Sequence, residues 1–460
     1  MKYDAIVIGS GQSGNPLATN LADRGWTVAL IESKNLGGTC INTGCTPTKT
    51  MVHRALVAHY ARHADRWGVI ARDVQVDLPK IVAQKDQVVH SFREGKEKQV
   101  AQRPKLHLYR GHARFAGAHH VTVAGETLES ERIFIDTGAR AHIPDIPGLA
   151  GTGYLTNETI MALASVPEHL IVLGGGYIGL EFGQMFARFG SQVTIIQNDP
   201  QIVSREDPEV AAELQRALEA EGVKFLLRAR TTQIEKTGAS IRVAIDTPGG
   251  PPARAVNVTG THLLVATGRR PNTDDLGLEK ARIETDKNGY IRVNSRLETN
   301  VPGVWAMGDV KGGPAFTHIS YNDYQIVYGN LIEGKNLSTD HRIVPYSVFT
   351  DPQLGGVGLT EKEARAKGYQ LKIGKALMSH VARAIERDET AGLMKLVVDA
   401  TNDRILGATF LATDGGELVH ILYTLMLGDL PYTLLKGAVY IHPTLAEGLF
   451  LLMENVKPVD

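Results

Sequence analysis

Two cysteines, Cys40 and Cys45, are the only ones in a chain of 460 residues, and they share one short run, Gly37-Gly38-Thr39-Cys40-Ile41-Asn42-Thr43-Gly44-Cys45-Thr46-Pro47-Thr48-Lys49. A chain of this length buries enough surface to be stable without a local staple, and closing so small a loop removes little chain entropy. Two thiols this close are therefore read as a redox pair that opens and closes. A structural disulfide or two inert thiols is the other reading of the run taken alone. On one straight helix their Cα atoms would stand roughly 7–8 Å apart, whereas a disulfide needs about 4.4–6.8 Å. A helix through both must be distorted, and Gly44 and Pro47 are suited to distort it.

The elements before the run point to a nucleotide. The apolar stretch Ala5-Ile6-Val7-Ile8 leads into Gly9-Ser10-Gly11-Gln12-Ser13-Gly14, then a helix from Pro16 to Arg24, then a strand ending on Glu32. Gly9, Gly11 and Gly14 allow a tight turn and let a helix N-terminus approach a pyrophosphate, and an acid roughly 20 residues on is placed to accept from a ribose. The pattern recurs. His169 to Leu173 leads into Gly174-Gly175-Gly176-Tyr177-Ile178-Gly179, and Gln197 stands where Glu32 stands in the first copy. Two such units imply two nucleotides, or else a duplication without a second ligand. Ile133–Ala139, with Thr137 and Gly138, resembles Leu263–Arg269, with Gly268, and each reads as a buried strand ending in a glycine turn. Gly303–Asp309 is another apolar strand, and Asp309 at its end could bind a ribityl or ribose hydroxyl or simply close a turn.

Composition narrows the class. The chain has 49 basic and 50 acidic residues, a net charge of −1 and 43% apolar residues. This balance gives no support to a nucleic-acid partner. No run of apolar residues is long enough to span a membrane. The N-terminus enters a strand at once, leaving no room for a secretory leader, so the expected compartment is the cytoplasm, where a close cysteine pair is more often catalytic than structural. The fold expected is α/β, with two Rossmann-like dinucleotide-binding domains and a C-terminal α+β domain. The boundaries expected are 1–145 with 272–342 for the first domain, 146–271 for the second and 343–460 for the third. Helices are expected over Thr48–Ala64, Leu78–Val100, Asp207–Glu221 and Glu417–Leu427, with a capping box at Thr360–Glu363 and a surface turn at Gly249–Pro252. His59 and His63 share a helix face and read as surface residues rather than metal ligands; no metal site is expected.

Together these motifs resemble the class I pyridine nucleotide–disulfide oxidoreductases, the flavoprotein disulfide reductases, over essentially the whole chain. Cys45-Thr46-Pro47-Thr48-Lys49-Thr50 and Phe316-Thr317-His318-Ile319-Ser320-Tyr321 look most like a bacterial branch labelled mercuric-reductase-like, which includes a reductase linked to reactive chlorine and copper stress. One departure matters. Mercuric reductases carry a further cysteine pair near the C-terminus, and Met453–Asp460 has none. His442 and Glu447, in His442-Pro443-Thr444-Leu445-Ala446-Glu447, instead resemble the thiol-substrate reductases.

The resemblance implies FAD at Gly9, Gly11, Gly14, Glu32, Thr39, Lys49, Thr137, Gly138 and Asp309, and NAD(P)H at Gly174, Gly176, Gly179, Gln197, Arg205 and Gly268. It implies that Tyr177 covers the nicotinamide pocket and that Lys49 and Glu181 pair beside the flavin. It makes Cys45 the charge-transfer thiolate and Cys40 the thiol that attacks the substrate. His442 becomes the base and Glu447 its orienter, both supplied by the other subunit of a homodimer. The implied acceptor is a disulfide or a thiol-reactive metal ion. A dihydrolipoamide dehydrogenase or glutathione reductase type of enzyme is the alternative, and a redox sensor without turnover is the alternative of another class. Gln197 is neutral and no arginine clamp follows it closely, Arg205 being the nearest, so both NADH and NADPH are expected to serve.

Overall fold

The computed structural model describes residues 1–246 and 256–459; the turn expected at Gly249–Pro252 lies outside them. The first nucleotide-type sheet is parallel and five-stranded, in the order Val304–Ala306, Ile133–Ile135, Ala5–Ile8, Val28–Glu32, Leu106–Arg110. Its three inner strands are apolar runs buried on both sides, which is what a parallel sheet covered by helices demands, while the edge strand Leu106–Arg110 is partly exposed. The strand Val304–Ala306 comes back from beyond the second nucleotide unit to pair with Ile133–Ile135. The second sheet, Lys224–Leu226, Gln192–Ile196, His169–Leu173, His262–Val265, is parallel as well. Two short antiparallel strands, Ala139–Ala141 and Arg269–Pro271, carry the chain between the units in a fixed register.

The C-terminal part is a six-stranded sheet, from Pro345–Val348 at one edge to Lys457–Val459 at the other. The helix Gly415–Leu427 packs Val419 and Leu422 onto it. The capping box forms as expected: Thr360 accepts the Glu363 N–H and the Glu363 carboxylate accepts the Thr360 N–H.

One expectation needs correcting. The helix after the cysteines runs Cys45–Arg62, starting earlier than the expected Thr48, and Cys40 sits in a separate short helix, Gly38–Asn42. The two thiols are thus at the junction of two helices rather than on one bent helix. Gly44 makes the break, with φ −128° and ψ −117°. Pro47 plays no part in it. It lies in the first turn of the second helix, where a missing N–H leaves no hydrogen bond unmade.

A buried cation joins the second nucleotide unit to the C-terminal sheet. Lys395, on the strand Leu393–Asp399, has a side chain 2% exposed, and its Nζ lies 2.7 Å from Asp207, 2.7 Å from Glu209 and 2.8 Å from Glu361. Asp207 stands at the head of the helix Pro208–Ala220 and also accepts the Glu361 and Lys362 N–H groups. Lys395→Ala should leave Asp207 buried without its cation, while Glu209 keeps Lys375 and Glu361 keeps Arg365, at a cost of about 3–5 kcal/mol. Chemical denaturation measures this; a loss below about 1 kcal/mol, the worth of a surface pair, would mean that water reaches the cluster.

Candidate active site

One cavity of 1890 Å³ gathers most of the residues singled out by their chemistry. Pockets for single small ligands span about 300–1,000 Å³, so this one has the size for an extended dinucleotide with a second ligand beside it. Gly9, Gly11, Glu32 and Thr39 line one part of it. Thr137, Gly138 and Asp309 line the next, and Cys40, Cys45, Lys49, Glu181 and Tyr177 form the part between the two nucleotide units.

The glycines of the first turn are there for space. Gly9 has φ +101°, and a Cβ on it would lie 2.2 Å from the Asp136 carbonyl oxygen. A Cβ on Gly14 would lie 2.1 Å from the Gly9 carbonyl oxygen. The Glu32 carboxylate accepts the Ser10 N–H at 3.1 Å and the Ser10 hydroxyl at 2.6 Å. The second turn repeats this construction. Gly174 has φ +108°, a Cβ on Gly179 would lie 2.0 Å from the Gly174 carbonyl oxygen, and the Gln197 Oε1 accepts the Gly175 N–H at 2.9 Å. Around Gly176 there is open space, which is what a close approach by a phosphate needs. Both cradles fit dinucleotides.

Thr137 and Gly138 are laced to Asn272. The Thr137 hydroxyl donates to the Asn272 carbonyl at 2.9 Å, and the Asn272 amide donates to the Thr137 carbonyl at 2.8 Å. Gly268, with φ +124°, turns the chain into Arg269, which donates to the Asp309 carboxylate at 3.3 Å and to the Ala139 carbonyl at 2.7 Å. Tyr177 opens the helix Tyr177–Phe189 and packs against Phe316 at 6.2 Å. Arg205 is exposed beside the second turn.

The cysteines are free thiols in contact with each other. Cys45 faces the cavity at the head of its helix, 3.1 Å from the Thr317 hydroxyl. The Cys40 thiol, the Thr317 hydroxyl and the Lys49 charge hold the Cys45 thiol well below its ordinary pKa, against burial and the Glu181 charge. Cys40, hydrogen-bonded to Cys45 and partly buried, is pushed the other way. These surroundings favour the negative charge on Cys45 over Cys40. Lys49 Nζ donates to the Glu181 carboxylate at 2.6 Å, and the other Glu181 oxygen accepts the Phe349 N–H at 2.9 Å.

His442 and Glu447 lie elsewhere. The His442 Nδ1 is 2.9 Å from both Glu447 oxygens, but the ring is 65% exposed and is not on the wall of this cavity. Ile441 and Val439 beside it are 79% and 99% exposed. Bare aliphatic side chains beside this hydrogen-bonded pair fit a surface that another chain covers.

Sequence reasoning missed two residues. Asp199 Oδ2 accepts the Gln197 Nε2 at 2.9 Å, so an acid does stand at the second turn, two places beyond the position inspected for one. The expectation of a site without a repulsive acid is corrected on this point. Asp136, a buried carboxyl under the first turn, accepts the Gly14 N–H at 2.7 Å; its place between a strand and Thr137-Gly138 concealed it. The charge balance is testable through Lys49. In the reduced protein, Lys49→Met should raise the pH of thiolate formation, followed by ultraviolet absorbance, by roughly one unit. An unchanged midpoint would leave Cys40, Thr317 and the helix terminus as the support of the thiolate.

The pyridine nucleotide-disulphide oxidoreductase family model matches residues 3–323, and the dimerisation-domain model of the same family matches residues 344–451. Among similar proteins, the probable pyridine nucleotide-disulfide oxidoreductase RclA of Escherichia coli (strain K12) is 37% identical, over 99% of this chain and 100% of its own. A mercuric reductase of Lysinibacillus sphaericus is 36% identical, over 98% of this chain and 82% of its own. A dihydrolipoyl dehydrogenase of Thermus scotoductus is 37% identical, over 97% of this chain and 96% of its own. A solved structure described as the Cu(II) complex of HOCl-induced flavoprotein disulfide reductase RclA superposes with a TM-score of 0.90 at 37% identity, covering 99% of this chain and 100% of that one. The dimerisation domain supports a homodimer. The chain belongs to the pyridine nucleotide-disulphide oxidoreductases, and it is an FAD- and NAD(P)H-dependent oxidoreductase of the mercuric-reductase-like and RclA-like branch that its motifs suggested.

Proposed function

We propose that the chain passes electrons from NAD(P)H through the Cys40–Cys45 pair to a disulfide or a thiol-reactive metal ion. The observation that carries this reading is the geometry of the pair: two thiols at the junction of two helices on the cavity wall, Cys45 beside the Thr317 hydroxyl and one helical turn from Lys49. FAD, when bound, supplies the relay that takes hydride from NAD(P)H and gives an electron pair to the disulfide. Gly9, Gly11, Gly14, Thr39, Thr137, Gly138 and Asp309 would hold it. Gly174, Gly176, Gly179 and Gly268 would hold NAD(P)H, with Tyr177 covering the nicotinamide side.

The chain's own groups handle the protons. When the Cys40–Cys45 bond breaks with two electrons, Cys45 keeps its negative charge beside Lys49 and Cys40 takes up a proton. Cys40 is then a poor nucleophile, because the thiolate is the reactive form. A base must remove that proton before Cys40 attacks an acceptor. We assign this to His442 acting across the dimer interface, with Glu447 fixing its ring. For a disulfide acceptor, the imidazolium returns the proton to the leaving thiol, and Cys45 then displaces the second thiol to re-form the Cys40–Cys45 bond. The retained His442–Glu447 pair supports a disulfide acceptor. The relatives named mercuric reductase and the relative solved with Cu(II) support a metal ion. A pair that cycles through free thiols at the expense of NAD(P)H suits a reducing compartment, which supports a cytoplasmic location. No helix among the described residues is long and apolar enough to cross a membrane.

At the second turn, the Asp199 carboxylate repels a 2′-phosphate, while Arg205 is the nearest group able to attract one. Both NADH and NADPH therefore serve, with Asp199 favouring NADH. His442→Ala should slow reduction of a disulfide acceptor by about 10²–10⁴-fold and leave NAD(P)H oxidation by an artificial dye near wild type. An equal loss in both assays would remove His442 from the acceptor half. Asp199→Asn should shift the kcat/KM ratio towards NADPH by about tenfold, or 1.4 kcal/mol; an unmoved ratio would place the coenzyme determinant elsewhere.

A further inference from the structure

The enclosed carboxyl of Asp136 has no part in the electron path, and its surroundings give it one in cofactor binding. Asp136 follows the strand Ile133–Ile135, directly beside the central strand Ala5–Ile8. It is 7% exposed, and it lies on the wall of the large cavity. Its Oδ2 accepts the Gly14 N–H at 2.7 Å, and the Ser13 backbone N–H also bears on the carboxyl. Two glycines press on it from other sides. A Cβ on Gly11 would lie 2.7 Å from Oδ2, and one on Gly308 would lie 2.8 Å from Oδ1. The side chain thus fills the junction of the glycine turn, the end of its own strand and the Gly308–Lys311 turn.

The charges facing it have the wrong sign for an ionised acid. Asp309 and Asp323 are the charged groups that act on it. The cations of this region are engaged already: Arg269 pairs with Asp309, and Lys311 and Arg342 pair with Asp323 at 3.3 and 2.6 Å. Burial first, then these two acids, push the Asp136 carboxyl well above the usual carboxylate range, against the Gly14 and Ser13 N–H groups. A dinucleotide pyrophosphate brings further negative charge to the same helix N-terminus. An ionised Asp136 would compete with it for the N–H groups and repel it; a neutral one accepts a single N–H and has an O–H to give.

We propose that Asp136 is a neutral carboxylic acid in the FAD complex, accepting the Gly14 N–H through Oδ2 and offering its own O–H to the pyrophosphate. This rests on the reading of Gly9–Gly14 as the FAD cradle. The sign of the pH dependence follows. FAD binds most tightly where Asp136 is protonated in the free protein, and affinity falls by about tenfold per pH unit once the pH passes that group's free-protein pKa. In that range, loading FAD takes up one proton from solvent.

The test compares wild type with Asp136→Asn, which keeps the shape, an acceptor and a donor but cannot ionise. The infrared difference spectrum of the two holoproteins should show the carbonyl stretch of a protonated carboxyl in the wild type alone. FAD affinity, read by quenching of flavin fluorescence on titrating apoprotein, should be similar for both at mildly acidic pH. At alkaline pH it should weaken for wild type while the variant holds level. Should the variant not fold, calorimetry of FAD binding to wild-type apoprotein in buffers of different ionisation heat measures the proton uptake directly. Carboxylate bands in place of the neutral one, an Asp136→Asn protein that keeps the wild-type pH slope, or FAD binding at alkaline pH without proton uptake would each overturn the proposal. A wild type that binds no FAD at any pH would overturn the cradle reading as well, so the two failures are distinguishable.

Discussion

Everything at the active site hangs on one buried carboxylate, Glu181. One oxygen holds the Lys49 ammonium at 2.6 Å and the other accepts the Phe349 N–H at 2.9 Å. Lys49 belongs to the helix headed by Cys45, Glu181 to the helix that opens with Tyr177, and Phe349 to the segment after the first strand of the C-terminal sheet. A single side chain, 4% exposed, therefore fixes three parts of the molecule around the thiolate. The same helix repeats the arrangement further along. Gln184 exchanges two hydrogen bonds with the Asp351 backbone, and Arg188 reaches the Asp351 carboxylate at 2.6 Å. Residues spaced three and four apart share a helix face, so Glu181, Gln184 and Arg188 form one stripe clamped to residues 349–351. A buried ion pair offers little net stability, but it fixes position, and here position matters because a charge acts on the thiolate only at short range.

The two cysteines show how that precision is used. Equivalent in sequence, they are unequal in the fold. The break at Gly44 puts Cys45 at the head of a long helix and leaves Cys40 in a short one. Lys49 is one turn along from Cys45, and Thr317 comes from across the cavity. These surroundings favour negative charge on Cys45 and the proton on Cys40. On the proposed reading that asymmetry calls for a base, and the His442–Glu447 pair, hydrogen-bonded and flanked by exposed Val439 and Ile441, is the candidate proposed for it.

Most of this was legible in the sequence where one residue type serves one geometric need. Gly9 and Gly174 sit at positive φ against a backbone oxygen, and no other residue could replace them there, so the two turns could be read directly. The long helices and the Thr360 capping box were legible for similar reasons of period and spacing. What stayed hidden depends on contacts between distant segments. Asp136 looked like the polar end of a strand, because nothing local says that Gly11, Gly14 and Gly308 converge on it. Asp199 was passed over because the offset from the glycine turn marks position 197, and only the fold shows the Gln197 amide handing on to the next acid. The start of the Cys45 helix was misplaced because a proline in the first turn was taken as a breaker when it was part of the start.

The account stands or falls on whether electrons from NAD(P)H reach the two cysteines. The most direct measurement is a count of free thiols in the denatured protein, before and after one equivalent of NAD(P)H is added without oxygen to the oxidised, FAD-loaded enzyme. The chain has only Cys40 and Cys45, so the account predicts no free thiol before and both after. Two free thiols at the outset, under conditions that oxidise an exposed dithiol, or none after reduction, would contradict it.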